Sequence, residues 1–259
     1  MEVFMSNPGF DVKIDTKNLE LIYGENTFGP VIEKRRLDDI RESLLDYNAK
    51  GPDVLYGIAM HVGDKKDKQI IEEKNAVYAI VVYNKGQIGN EPIRSQGHIH
   101  AISKFSNKST CEVYEILLGK AIIYMQESGS DDAGRCYAVY AEENDVVIVP
   151  PNWVHATINA DINNNMAFGS WSVSDYKFEY KEVREHKGIA FYPIVKDGDI
   201  EWIKNDNYSD GSLIKVKAKE YPEFNITNKE RIYTQFINNP DNFDFVANPD
   251  VADHLWREF

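Results

Sequence analysis

Through the middle of the chain the hydrophobic positions come in short runs of strand length rather than in long helical stripes. Residues 54–62 (V-L-Y-G-I-A-M-H-V) and Ala76–Tyr83 (A-V-Y-A-I-V-V-Y) are two such runs, separated by a charged stretch and followed by a turn at Asn84-Lys85-Gly86. Further runs cover residues 112–126, 136–141, 145–149, 157–159, Met166–Val173 and 188–195, with a polar insertion at 103–109. Asn144-Asp145 marks one turn, and Pro150-Pro151 ends the run before it can continue. Many short strands with turn signals between them predict an all-β sandwich or barrel.

The two ends read differently. Residues 11–21 read as a strand and turn. Residues 33–45 (E-K-R-R-L-D-D-I-R-E-S-L-L) read as an amphipathic helix with Leu37, Ile40, Leu44 and Leu45 on its apolar face, ended by Gly51-Pro52. Lys34-Arg35-Arg36 reads as the solvated start of that helix rather than an anion site. Beyond a loop at 205–210, residues 213–218 read as a last strand and 250–259 as a short helix. Phe224, Phe236, Phe243, Phe245 and Trp256 make this tail too aromatic for disorder, so it is expected to pack on the barrel or on a partner subunit. The expected division is an N-terminal strand and helix extension (1–52), a barrel (53–204) and a C-terminal extension (205–259).

A length of 259 residues suits one large domain with extensions, and 42% hydrophobic residues can fill its core. A net charge of −13 argues against nucleic acid, which demands clustered Lys and Arg, but leaves room for a small phosphorylated ligand. No apolar run approaches the ~18 residues of a membrane span. The start M-E-V-F-M-S-N-P lacks the pattern of a signal peptide, so no membrane partner and a cytoplasmic location are expected. The two cysteines, Cys111 and Cys136, give no disulfide framework.

Candidate chemistry concentrates between Gly97 and Asn159. Three of the six histidines lie there, in G-H-I-H (97–100) and P-P-N-W-V-H-A-T-I-N (150–159), with E-V-Y-E-I-L-L-G (112–119) between them. Strand side chains alternate faces, so His98 and His100 point one way and Ile99 the other. By the same parity Glu112 and Tyr114 share a face, while Cys111, Val113, Glu115 and Leu117 take the opposite one, which makes Cys111 a packing residue. If these strands line one cavity, three imidazoles and a carboxylate converge on a divalent transition metal and leave it open positions for substrate oxygens.

The order H-x-H, E-x6-G, P-x4-H-x3-N resembles the cupin superfamily, whose members fold as a double-stranded β-helix, a small jelly-roll barrel. More closely, residues 33–39 (E-K-R-R-L-D-D), 97–101 (G-H-I-H-A), 112–121 (E-V-Y-E-I-L-L-G-K-A) and 149–159 (V-P-P-N-W-V-H-A-T-I-N) resemble the cupin-type phosphoglucose isomerases. The likeness covers roughly residues 10–205. It implies His98, His100, Glu112 and His155 as metal ligands, Tyr114 as an active-site tyrosine, and Tyr56 and Tyr180 as tyrosines of the sugar site. It also implies phosphate contacts from the Ser95 hydroxyl and the Gly97 backbone. Three departures stand out. Val81 falls where the family has a phosphate-binding threonine, Phe178 falls where it has a histidine, and the loop before Glu112 is longer, bringing Lys104 and Lys108 near the mouth. Arg94, Lys104 and Lys120 are the nearby basic candidates, and Lys120 is taken as a substrate contact.

The implied activity is metal-dependent interconversion of glucose 6-phosphate and fructose 6-phosphate. It would use one divalent ion per chain, Fe(II) first and then Mn(II), Zn(II) or Ni(II), in a homodimer. Glu112 would act as general base on an enediol route with Tyr114 orienting it, whereas a hydride shift would need no base. Two other readings stay open: a different metal-cupin enzyme such as an Fe(II) dioxygenase, and a non-catalytic sugar-binding cupin.

Overall fold

Runs rich in Val, Ile, Tyr and Phe favour pleated sheet because branched and aromatic side chains pack well across neighbouring strands. In the computed structural model, which describes residues 3–4 and 7–257, they form two facing sheets. Their strands in chain order are β1 (Glu33–Arg36), β2 (Val54–Ala59), β3 (Ala76–Tyr83), β4 (Glu112–Leu118), β5 (Lys120–Gln126), β6 (Asp132–Glu142), β7 (Val146–Val149), β8 (Val154–Asn159), β9 (Met166–Val173) and β10 (Asp210–Lys217). The six-stranded sheet runs β7-β4-β9-β3-β2-β1 and the four-stranded sheet runs β8-β5-β6-β10. Every pairing is antiparallel except β6 with β10. This is the expected all-β jelly roll.

Three apolar layers explain the sequence pattern. One, including Tyr56, Val81, Tyr114, Ile123, Val147 and Phe168, fills the space between the sheets. A second covers the outside of the six-stranded sheet with the N-terminal hairpin and the C-terminal tail. A third covers the outside of the four-stranded sheet, where Ile122, Tyr124 and Ile158 meet Val183, Ile189 and Tyr208. With both faces covered, β3 and β9 are buried at every position, so they read as continuous apolar runs rather than alternating ones.

The tail packs on its own barrel. Trp171 of β9 stacks on Phe236 with ring centroids 3.9 Å apart, and its Nε1–H donates to the Ile232 carbonyl at 3.1 Å. Glu115, on the outer face of β4, accepts from Arg231 at 2.9 Å and from the Ile232 N–H at 3.2 Å. Phe224 and Trp256 pack ring to ring, and Lys108 is paired with Asp250 and Asp253 of the tail. Cys111 is buried in this outer layer, in the packing role expected of it. Trp171→Ala is expected to cost about 3–5 kcal/mol, the range for emptying a buried aromatic site. A fall in the denaturant midpoint at constant slope is the measurement.

Residues 33–45 do not form a helix: Glu33–Arg36 is the edge strand β1, and Leu37–Asp39 and Arg41–Ser43 are single 3-10 turns. Pairing with β2 overrides the helical periodicity, although Leu37, Ile40 and Leu44 are buried as expected while Leu45 is exposed. The run at 188–195 yields Phe191–Lys196, which pairs with Asp199–Lys204 in a hairpin outside both sheets. The expected terminal helix appears as a 3-10 turn at Pro249–Ala252 and a helix at Asp253–Trp256, with residues 258–259 outside the described residues. Among the described residues no helix is long and apolar enough to cross a membrane.

Candidate metal centre

Backbone pairing brings the histidines together. His98 and His155 exchange both backbone hydrogen bonds, at 3.0 and 2.9 Å, which sets their rings 4.3 Å apart. His100 sits two residues on, in a short ladder with Phe178–Glu179, and its ring lies 5.3 Å from that of His98. Gly97 leads the chain in at φ +92°, where a Cβ would meet Ile189 Cγ2 at 2.7 Å, so only glycine fits this approach. Glu112 opens β4 and places Oε2 3.3 Å from the Nε2 atoms of both His100 and His155.

These four residues offer ligand atoms that all lie within 4.8 Å of one another. Metal–ligand bonds of about 2.0–2.2 Å place opposed donors about 4 Å apart, so a small inward adjustment closes the set on one ion. The buried nitrogens argue for that ion. Among the described residues His98 Nε2 and His100 Nε2 find no hydrogen-bond partner, and an unpaired buried polar atom costs about 1–3 kcal/mol. The Nδ1 atoms of His100 and His155 lie against Thr110 Oγ1 at 3.2 Å and the Trp153 carbonyl at 3.3 Å. These outer partners hold the rings with Nε2 toward the centre, as metal-ligating histidines require.

Electrostatics prepare the same donor set. Burial, with His155 and His100 beside it, pushes the His98 imidazole well below its ordinary pKa, and burial likewise lowers His155. Both are therefore neutral and can ligate. Burial opposes charge on Glu112, but the His100 and His155 imidazoles beside its carboxylate outweigh it and hold the carboxyl well below its usual range. Tyr114 donates to Glu112 Oε2 at 2.8 Å, and burial raises its phenol well above normal, so it keeps its proton.

The cavity beside this cluster collects most of the expected substrate residues. Tyr56, Val81, Ser95, Tyr114, Phe178 and Tyr180 all line it. Tyr56 stacks on Tyr83 at 4.6 Å, Ser95 Oγ accepts from the Thr157 N–H at 3.0 Å, and the Tyr180 ring lies 5.8 Å from that of His98. Phe178 packs 4.5 Å from His98.

The basic candidates are not brought there. Met125 pairs with His155, so Lys120 sits five residues along β5, about 16 Å away, and lines a separate depression with Glu142 and Asp161. Arg94 is fully buried, bonded to Glu91 at 2.7 Å and to the Ser43 carbonyl at 2.6 Å. Lys104 pairs with Asp175, and Lys108 holds the tail. The cation that does line the cavity is Arg35, which the helical periodicity of residues 33–45 had assigned to a solvated surface. Its one sequence signal was its place in the E-K-R-R-L-D-D match.

The family model of glucose-6-phosphate isomerase matches residues 40–210. Among curated relatives, the glucose-6-phosphate isomerase of Thermococcus kodakarensis is 26% identical over 181 residues, covering 68% of this chain and 87% of that one. The glucose-6-phosphate isomerase of Pyrococcus furiosus is 26% identical over 180 residues, covering 67% and 86%. Solved structures of similar shape include a hazelnut vicilin, at TM-score 0.36 and 11% identity, over 50% of this chain and 33% of that one. Oxalate decarboxylase from Bacillus subtilis is another, at TM-score 0.34 and 18% identity, over 47% and 26%. The chain thus spans a third or less of either of these two proteins. A family-model match that runs through the barrel and takes in all four clustered ligands makes this chain a member of the glucose-6-phosphate isomerase family.

Proposed function

We propose that the protein interconverts glucose 6-phosphate and fructose 6-phosphate with one divalent ion held by His98, His100, Glu112 and His155. The observation that carries this reading is the set of four ligand atoms within 4.8 Å, two of them orphaned buried imidazole nitrogens. When bound, the ion supplies a Lewis acid and a template for two neighbouring sugar oxygens.

The chain's own residues account for the rest. Glu112 lines the cavity and is bonded to Tyr114, which places a carboxylate where it can take a proton from C1 or C2 of the open-chain sugar. Tyr114, protonated and bonded to Glu112, fixes its orientation and can hand a proton to a sugar oxygen. Phe168, Phe178 and Tyr180 wall the cavity and keep bulk water from the proton in transit. Tyr56 and the Ser95 hydroxyl lie along the same wall as contacts for the sugar.

Fe(II) is the proposed metal, since three imidazoles and a carboxylate suit it as well as Mn(II), Zn(II) or Ni(II). A homodimeric cytoplasmic enzyme is the proposed setting. The proposed division is a catalytic barrel over residues 53–204, with flanking segments 1–52 and 205–259 each lending it one strand. A coupled assay from fructose 6-phosphate to glucose 6-phosphate tests the activity. Turnover is expected to disappear with a chelator and return when Fe(II) or Mn(II) is added back. No turnover in either state would favour the dioxygenase or sugar-binding readings, which Fe(II)-dependent oxygen uptake would separate.

A further inference from the structure

We infer that Arg35 is the counter-charge for the substrate's anionic end, binding a phosphate ester at the cavity wall and selecting phosphorylated over neutral sugars. This rests on the reading of the cavity as a sugar-phosphate site. Arg35 lies outside the stretch matched by the family model, so the match itself assigns it nothing.

Much of the cavity wall is uncharged, with Ile58, Ala79, Val81, Phe168 and Phe178 contributing hydrocarbon. Burying a phosphate dianion against such a wall is costly unless a cation meets it. Among the described residues that line it, Arg35 is the one lysine or arginine and Glu112, of the candidate metal cluster, the one carboxylate. The Val81 position has no hydroxyl to offer.

β1 pairs with β2 so that Arg35 lies directly across from Tyr56, on the same sheet face. Tyr56 is in turn stacked on Tyr83, which ties Arg35 to the rigid inner wall. Tyr56 and Tyr180 both feel its positive charge, and Tyr180 reaches to 5.8 Å from His98, so the guanidinium and the metal cluster face one space. The other nearby cation, Arg184, is already engaged with Gln96 at 2.9 Å and Glu42 at 3.3 Å.

Arg35 is partly buried, with a side-chain exposure of 27%; besides its contact with Tyr56, its ion-pair partner is Glu33 at 3.0 Å, which is 65% exposed. Exposed pairs of this kind contribute little, so a phosphate can share or displace Glu33. A planar guanidinium presents paired donors that match two phosphate oxygens at once, which a lysine ammonium does not.

The test is calorimetric binding of glucitol 6-phosphate and of glucitol to the metal-loaded protein, for the wild type, Arg35→Ala and Arg35→Lys. Metal content is measured on each, and KM and kcat for fructose 6-phosphate are taken alongside. Arg35→Ala is expected to weaken the phosphorylated ligand about 10- to 100-fold, the size of a charged hydrogen-bond pair, at unchanged metal content. Glucitol affinity should stay constant, KM should rise more than kcat falls, and Arg35→Lys should recover part of the loss. Equal affinity of wild type and Arg35→Ala for glucitol 6-phosphate would overturn the assignment, as would a loss shared equally by glucitol. Binding without turnover in the wild type would sink the isomerase reading instead, while the affinities still decide the role of Arg35. A wild type that binds no sugar phosphate removes both.

Discussion

His155→Ala is expected to lose bound metal and isomerase turnover together while the barrel stays folded. The His155 ring stands at the meeting point of the cluster, 4.3 Å from the His98 ring and 4.9 Å from that of His100, with Nε2 3.3 Å from Glu112 Oε2. Removing an outer partner of a metal ligand typically costs 10–100-fold in affinity or activity, so removing a ligand itself should cost more than about 100-fold. The fold survives because the bridge between residues 98 and 155 is made by backbone groups, which alanine retains. Glu112 loses one neighbour but keeps the Tyr114 hydroxyl at 2.8 Å. Metal analysis, the coupled assay and far-ultraviolet circular dichroism on one preparation measure all three properties. Normal turnover in a metal-free His155→Ala protein would contradict the metal-dependent mechanism.

Glu112→Gln should damage turnover far more than substrate binding. A positioned general base contributes about 10²- to 10⁴-fold, so kcat is expected to fall by that order while KM moves only a few-fold. Glutamine keeps the shape and can still accept from Tyr114, but it cannot take up a proton. Because Glu112 also belongs to the proposed ligand set, the comparison is made at saturating metal with occupancy measured. An unchanged kcat at full occupancy would take Glu112 out of the base role and favour hydride transfer between the two carbons.

The site was largely legible in the sequence because strand parity is a local rule. His98 and His100 do face one centre, Glu112 and Tyr114 share a face to within a hydrogen bond, and Glu115 points to the opposite layer, where Arg231 meets it. Arg35 was not legible, since residues 33–45 carry a helical spacing that only pairing with β2 overrides. Lys120 misled for a related reason: near Glu112 in the chain, it starts a strand whose far end meets His155.

What the sequence determined by itself was the alternation that sorts side chains between faces, and with it the strand content and the four residues that cluster as candidate metal ligands. The tertiary structure alone decided how near those faces come and which charge enters the cavity. It also decided that the aromatic tail closes over β9 and that β10 joins β6 in parallel. The reason is that parity depends on adjacent residues, whereas these outcomes depend on pairings between segments as far apart as residues 132 and 210, whose partners no local pattern names.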